Sequence, residues 1–462
     1  GEFLEDVTLA DTIGGWISHL FEYITGALKD VTFEVYVLED IQAADGESED
    51  YYKKDELIAT ITTDETGIAK LSDLPLGKYY VKEKETAEGY VLDGEIREID
   101  LSYVDQDTVE VTWSGDWQNN RQKAEVSVLK KEKDTDRVLE GAVFALSAKE
   151  DITNKDGDVI LEAGTVIEEK ATGEDGKLTF EADLPIGFSY TVKETSPAPG
   201  FATTDEVQEF IFTAESSEKA TVSYEFIFED EPTVFEFTKT SLTDGKEVEG
   251  AKLAVTDENG EVVDEWVSGK EPHIIKELVV GQTYTMTEVL PAPGYVTAES
   301  IQFTVEDTAE VQKIEMKDDV TKVEISKTDI AGEELPGAKL TILDENGEVV
   351  ESWTSTEEPH YIEMLPIGKY TLHEESAPEG YLVAEDVAFE VKDTGEIQKV
   401  VMKDEAEPEE IPETPETPTT TVDAPKTGDN TPIVALMISC GLGLVGAIGA
   451  AAWMKARKKK QD

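Results

Sequence analysis

The sequence predicts an all-β protein: tandem small β-sandwich domains, followed by a disordered linker and one C-terminal transmembrane helix. Three observations predict it. Short runs of alternating Val, Ile, Tyr and Thr are separated by turn signals such as TDETG, GEDGK and ENGE, and period-two alternation between turns marks half-buried strands. Long stretches of the chain repeat one another. No unit sustains the 3.6-residue apolar period of a helix; the one weakly helical expectation falls on TIGGWISHLFEYITGAL, residues 12 to 28.

The repeat is clearest between EGAKLAVTDENGEVVDEWVSGKEPHIIKEL (250–279) and PGAKLTILDENGEVVESWTSTEEPHYIEML (336–365), and it continues from GQTYTMTEVLPAPGY (281–295) to GKYTLHEESAPEGY (368–381). GFSYTVKETSPAPGF (187–201) and GKYYVKEKETAEGY (77–90) are more divergent copies. Four units follow, 1–122, 123–232, 233–320 and 321–405, then a Pro/Glu/Thr linker over 406–423 and a tail over 424–462. The units are longer than most solenoid repeats, so each is expected to own a core, like beads on a string.

The 103 Asp and Glu residues against 40 Lys and Arg leave a formal net charge of -63, which repels nucleic acid and other polyanions. No D-x-[DN]-x-[DN]-G loop organises this acidity into a calcium site. His19, His273, His360 and His373 show no metal-ligand spacing, so no metal and no cofactor is expected. His273 and His360 fall at the same place in a repeated EPH, and Trp266 and Trp353 are likewise equivalent; both pairs read as structural. Cys440, the single cysteine, lies in the terminal apolar run, so a secreted form must stabilise its domains without disulfides. The chain opens GEFLED with no apolar leader; for an exported protein the signal peptide is expected to have been removed or left out.

The apolar faces of certain strands end in a charge. In unit 4, alternation places Lys327 with Val323 and Ile325, Glu374 with Tyr370 and Leu372, and Asp404 with Val400 and Met402. Unit 3 repeats the trio as Lys239, Glu288 and Asp318, and unit 2 as Lys130, Glu194 and Asp230. Their neighbours Lys131, Glu231 and Asp319 fall on the outward face. Buried charges are unfavourable unless paired or neutralised, and two readings follow. One is a buried salt bridge with an extra carboxylate. In the other the groups react: an apolar site moves Lys toward the neutral amine and the carboxyls toward the acid. The amine then attacks the Asp carbonyl, Glu carries protons and water leaves, with proximity replacing an activated ester.

Lys in the first strand, Glu in a Y-x-x-x-E…P-x-G-Y/F segment and Asp or Asn in the last strand resemble the collagen-adhesin B-type domains, immunoglobulin-like β-sandwiches also found in SpaA-like Gram-positive pilins. The resemblance covers about residues 24 to 405. It implies spontaneous intramolecular isopeptide bonds, Lys130–Asp230, Lys239–Asp318 and Lys327–Asp404, assisted by Glu194, Glu288 and Glu374. In unit 1 Glu83 follows Tyr79 and Val81, and Asn119 in WQNNRQK stands as acceptor, yet no Lys lies at the expected distance before TGA (25–27), and Lys29 comes too late. Unit 1 is therefore expected to be uncrosslinked or to lack its first strand.

Residues 405–423, EAEPEEIPETPETPTTTVD, cannot form a core and should be extended. An apolar run from Ile433 to Met454 is long enough to cross a bilayer, and the basic KARKKKQD after it should stay cytoplasmic. The plain reading is a membrane anchor. Pro425, Lys426, Thr427 and Gly428, followed by the span and the basic tail, resemble the cell-wall sorting signal of Gram-positive surface proteins. That resemblance implies a precursor held in the plasma membrane, cleavage by sortase between Thr427 and Gly428, and transfer of the new carboxyl group to peptidoglycan. Thr427 is then a substrate residue, and Ala424 stands where the family usually has Leu.

The expected function is an extracellular, wall-anchored structural stalk or adhesin, with a covalent bond across the path of pulling force in each crosslinked unit. Closure also restricts the unfolded chain as a disulfide does, without dependence on redox state. One alternative is an ancillary or shaft pilin subunit, although no Y-P-K stretch supplies a polymerising lysine. The other is the stalk of a secreted enzyme, which would need a cleft with paired carboxylates, and no region departs from the repeat to house one. Expected partners are sortase, peptidoglycan after anchoring, and a host or bacterial surface ligand. Nucleic acid is not expected, and the membrane is engaged only through the C-terminal segment before sorting. Trp113 and Trp117 are weighed as ligand aromatics and read instead as core.

Overall fold

Turn residues cut the chain into short strands, and 29 of them form among the described residues. The structure is a computed structural model that describes residues 1–10, 16–43, 45 and 51–408. The described strands all lie in one unit, Gly1–Glu407. The Pro/Glu/Thr linker beyond residue 408, the apolar span 433–454, Thr427 and Gly428 fall outside the described residues. Among the described residues no helix is long and apolar enough to cross a membrane.

The chain begins with a hairpin of β1 (Glu2–Leu9) and β2 (His19–Thr25). Unit 1 then contributes β3 (Thr32–Val37), β4 (Leu57–Thr62), β5 (Lys78–Glu85) and β6 (Ile96–Asp100), a sheet in the order β4-β3-β5-β6. Unit 2 comprises β7 (Lys123–Glu132), β8 (Val143–Ala148), β9 (Ile152–Thr153), β10 (Val159–Leu161), β11 (Val166–Ala171), β12 (Lys177–Thr179), β13 (Ser189–Ser196), β14 (Val207–Ile211) and β15 (Thr221–Asp230). Its two main sheets run β11-β8-β13-β14 and β12-β7-β15. Unit 3 comprises β16 (Val234–Ser241), β17 (Lys252–Thr256), β18 (Val262–Val267), β19 (His273–Lys276), β20 (Thr283–Leu290), β21 (Ile301–Thr304) and β22 (Val311–Asp318), in sheets β18-β17-β20-β21 and β19-β16-β22. Unit 4 repeats this with β23 (Lys322–Asp329), β24 (Lys339–Leu343), β25 (Val349–Thr354), β26 (His360–Glu363), β27 (Gly368–Ser376), β28 (Val387–Val391) and β29 (Ile397–Asp404). Its sheets are β25-β24-β27-β28 and β26-β23-β29.

Units 2 to 4 thus pair a four-stranded sheet with a three-stranded one whose central strand is the first of the unit and lies parallel to the last. The inner faces enclose separate apolar clusters: Phe144, Leu146, Tyr190 and Phe228 in unit 2, Phe235, Phe237 and Met286 in unit 3, and Ile325, Leu340 and Leu372 in unit 4. Burial alternates along each first strand as the pleat requires. Junctions repeat as well. The Thr233 hydroxyl donates to Leu278 O at 2.6 Å, as that of Thr321 does to Leu365 O at 2.6 Å. Gly294 sits at φ +85°, where a Cβ would lie 2.5 Å from Met364 O, so this contact between units 3 and 4 requires glycine.

Two sequence expectations are corrected. Over the described residues 16–28 the helical expectation gives way to strand β2, because pairing with β1 and packing against unit 2 override a weak local pattern; residues 12–15 lie outside the described residues. Phe21 joins the core of unit 2, the Tyr23 hydroxyl donates to Asp183 O at 2.9 Å, and Ser18 bridges to Glu168. Strands β1 and β2 therefore pack against unit 2, while Glu2 O accepts a hydrogen bond from the Tyr90 hydroxyl of unit 1 at 2.6 Å. The second correction concerns TGA (25–27). The residue matching Gly141 (φ +85°) is Asp30 (φ +66°), each standing just before the first strand of its four-stranded sheet; the true match is LKD at 28–30. No lysine lies at the matching distance before Asp30 either.

Candidate functional sites at the ends of the parallel strand pairs

Each trio is assembled by register. In the parallel pair β7/β15, Lys130 stands opposite Phe228, and Asp230 lies two residues further on the same face. Lys239 is opposite Met316 with Asp318 two beyond, and Lys327 is opposite Met402 with Asp404 two beyond. Residues two apart share a face, so each Lys reaches diagonally to the Asp. The facing sheet supplies the Glu: Glu194 opposite Phe144, Glu288 opposite Leu253 and Glu374 opposite Leu340.

All nine side chains are buried, Lys130 at 0 % exposure and Lys239 and Lys327 at 1 %. The Lys Nζ atoms lie 3.0, 3.0 and 2.9 Å from Oε1 of Glu194, Glu288 and Glu374. Each Nζ also donates a hydrogen bond to Oδ1 of Asp230, Asp318 and Asp404 respectively. The second Glu oxygen is held by a backbone amide: Oε2 of Glu194 accepts from Thr204 N at 2.9 Å, and Oε2 of Glu288 and Glu374 from Ala298 N and Ala384 N at 2.6 Å. One oxygen of every Asp, Oδ2, has no hydrogen-bond partner, and neither does the lysine-facing Oε1 of every Glu; those Glu oxygens are close to Nζ but poorly aligned with it. Rings of Phe144 and Phe228, centred 5.6 and 6.0 Å from Nζ of Lys130, complete the apolar shell.

Burial pushes Glu194 up to about 7 against the opposing pull of Lys130, and Asp318 up to about 6. It raises Asp230 and Asp404 likewise. Glu194 thus takes up a proton near neutrality, which suits proton transfer between a carboxyl and an amine. The neighbouring charges face elsewhere: Glu231 is exposed and pairs with Lys133, Asp319 pairs with Lys322 at 2.9 Å, and Lys131 lies 3.6 Å from Asp136.

Unit 1 assembles two of the three parts. Glu83 and Asn119 are buried, and Asn119 Nδ2 donates to both Glu83 oxygens at 2.8 and 2.9 Å. Phe33 packs on Trp117 at 4.9 Å between centroids, the same separation as Phe144 on Phe228. Among the described residues no lysine reaches the pair; Lys29 is exposed, 3.5 Å from Glu65. The repeated Trp/His pairs are stacked: Trp266 on His273 and Trp353 on His360, both at 4.3 Å, with His Nε2 against Asp264 and Glu351.

A family profile, SpaA, a prealbumin-like fold domain, matches residues 23–117, 124–225, 233–320 and 321–406. The chain belongs to that family. No curated protein matches. Among solved structures, the Bacillus anthracis TIE protein is similar at 22 % identity with TM-score 0.35, over 87 % of this chain and 75 % of that one. The full-length major pilin SpaD from Corynebacterium diphtheriae is similar at 14 % identity and TM-score 0.32, over 61 % and 97 %. BcpA, the major pilin subunit of Bacillus cereus, is similar at 14 % identity and TM-score 0.27, over 62 % and 100 %. At such values the likeness speaks neither to activity nor to partners.

Proposed function

We propose that the chain is a wall-displayed structural stalk whose units 2, 3 and 4 close themselves with amide bonds, Lys130–Asp230, Lys239–Asp318 and Lys327–Asp404. The observation that carries this reading is the buried Lys–Glu–Asp trio repeated at the end of each parallel first-and-last strand pair. A lysine ammonium and an aspartate carboxylate together hold the atoms of one amide and one water. Glu194, Glu288 and Glu374 relay the two protons that the lysine nitrogen gives up to the departing oxygen, the amine attacks the Asp carbonyl carbon, the C–O bond breaks and water leaves. The dry site holds the reactants in contact, so no activation of the acid is needed.

Because the joined strands are parallel neighbours, a load entering at the start of a unit and leaving at its end shears them along their length. The bond carries that load directly from Lys to Asp and bypasses everything between. The family's immunoglobulin-like class and the limits 123–232, 233–320 and 321–405 belong to the same reading. So does the tail: residues 406–423 act as an extended linker, the span 433–454 holds the precursor in the membrane, and sortase cuts between Thr427 and Gly428 to join the chain to peptidoglycan. Sequence order and composition support it.

The test is the intact mass of the full chain with peptide mapping. The expected loss is three waters, one at each named pair. In Glu288→Gln the water at Lys239–Asp318 should be retained while the other two are still lost. A mass equal to that of the sequence would leave the trios as ionic networks and end the crosslinking part. Incubation with sortase and an amine acceptor separately tests Thr427–Gly428.

A further inference from the structure

Among the described residues, unit 1 shows no counterpart of the three-stranded sheet or of its central strand. In units 2 to 4 that strand lies between an antiparallel neighbour and the last strand, and it carries the lysine. In unit 1 both flanking segments are present and neither forms a strand: residues 68–76 and 101–120 are irregular. The second keeps a strand's alternation over 116–120, with Trp117 partly buried and Asn119 buried while Asp116, Gln118 and Asn120 face outward, and residues 112–116 are all exposed. Ile68 (48 % exposed), Leu71 and Leu76 on the first segment and Trp113 on the second leave apolar surface uncovered. In unit 2 Lys130 N donates to Gly176 O and Lys130 O accepts from Leu139 N. The corresponding Gly67 and Leu28 of unit 1 stand side by side, a Cβ on Gly67 falling 3.1 Å from Leu28 N. Strands β1 and β2, which precede unit 1 where a first strand would, pack against unit 2.

We propose that unit 1 is a receptor for a lysine-bearing β-strand of another polypeptide. The strand inserts beside residues 109–119 and its lysine is joined to Asn119. The occupant's chemistry is written three times in this chain, as VSVLK (126–130), FEFTK (235–239) and VEISK (323–327): two inward apolar residues and then an inward lysine. The slot complements it in charge, because Glu83 is the counterpart of three glutamates that each face a lysine. It complements it in shape, because Phe33 and Trp117 form the wall that Phe144 and Phe228 form around Lys130. On insertion the amine displaces the Asn119 amide from Glu83. Glu83 accepts a proton from the lysine ammonium, the neutral amine attacks the carboxamide carbon, the amide nitrogen takes that proton and leaves as ammonia, and Glu83 takes up the second proton shed by the attacking nitrogen. The bond that breaks is C–N and the bond that forms is C–N, with no oxidant or co-reactant. This bond-forming step rests on the self-closing chemistry proposed for units 2 to 4; the strand slot does not.

The probe is a synthetic peptide of residues 233–241, TVFEFTKTS, incubated with the full chain. One peptide per chain should attach covalently, giving a product one ammonia lighter than the two together, with the bond mapped to Asn119. Glu83→Gln should bind the peptide without the bond, and so should the wild-type chain with a peptide carrying Lys239→Arg. A peptide that fails to bind saturably overturns the proposal. So does a crosslink showing residues 1–25 of the same chain seated between 68–76 and 109–119. The waters lost by units 2 to 4, read in the same spectrum, separate the two failures. Closed units with no peptide bound overturn the slot alone; unclosed units with peptide bound but not joined overturn the chemistry and leave the slot.

Discussion

Unit 1 and unit 3 place the same Glu on the same strand of the same four-stranded sheet, yet only unit 3 has a lysine before it. In unit 3, Glu288 and Asp318 bracket Lys239, and the first strand ties the second sheet together. In unit 1, Asn119 lies against Glu83 with no cation beside them among the described residues, and the segments that would flank a first strand are irregular. One strand therefore decides both whether a second sheet exists and whether the buried acid has a cation.

The contrast can be broken first at the lysine. Lys239→Ala leaves two buried carboxyls without a cation and should destabilise unit 3 by about 3–5 kcal/mol even before any bond is counted, read as a separate early transition in denaturant unfolding. A pH series sharpens it. Lys130→Arg keeps the charge but offers no amine to join, so Glu194 stays free to titrate. With its folded-state pKa raised to about 7 from 4.5, the folded state binds the extra proton between those values. Stability in that variant is then full below about pH 4.5 and falls as pH rises toward 7, by at most about 1.4 kcal/mol per pH unit, measurable from urea midpoints. Asn119→Ala in unit 1 should have a smaller effect, roughly 1–3 kcal/mol for one lost buried partner, with units 2 to 4 unmoved in hydrogen exchange. Smallest is Lys29→Ala, whose exposed contact with Glu65 should be worth less than about 1 kcal/mol; a larger effect would mean that Lys29 serves the Glu83 site after all.

The strand class and the inward position of each charge were legible because a pleat has period two, and a charge two residues after an apolar pair must share its face. The repeat then fixed which charges belonged together. Register was not legible: that Asp318 lies two residues beyond the partner of Lys239 depends on pairing across 79 positions of sequence. The hairpin was missed for a physical reason. Ile17, Leu20, Phe21 and Ile24 have helical spacing, yet Leu20 and Ile24 remain exposed and only Phe21 is buried, in the core of a later unit. Asp30 hid the alignment because it takes a left-handed conformation where the other units use glycine. The run VTFEVYV beside AVFALSA was the signal available for the correct match.

The most direct test pulls a single full chain from both ends. Units 2, 3 and 4 should yield no release of the chain between Lys130 and Asp230, Lys239 and Asp318, or Lys327 and Asp404, while unit 1 unfolds and extends. Extension by all four units would contradict the account, because it would mean that no covalent bond spans the parallel strands.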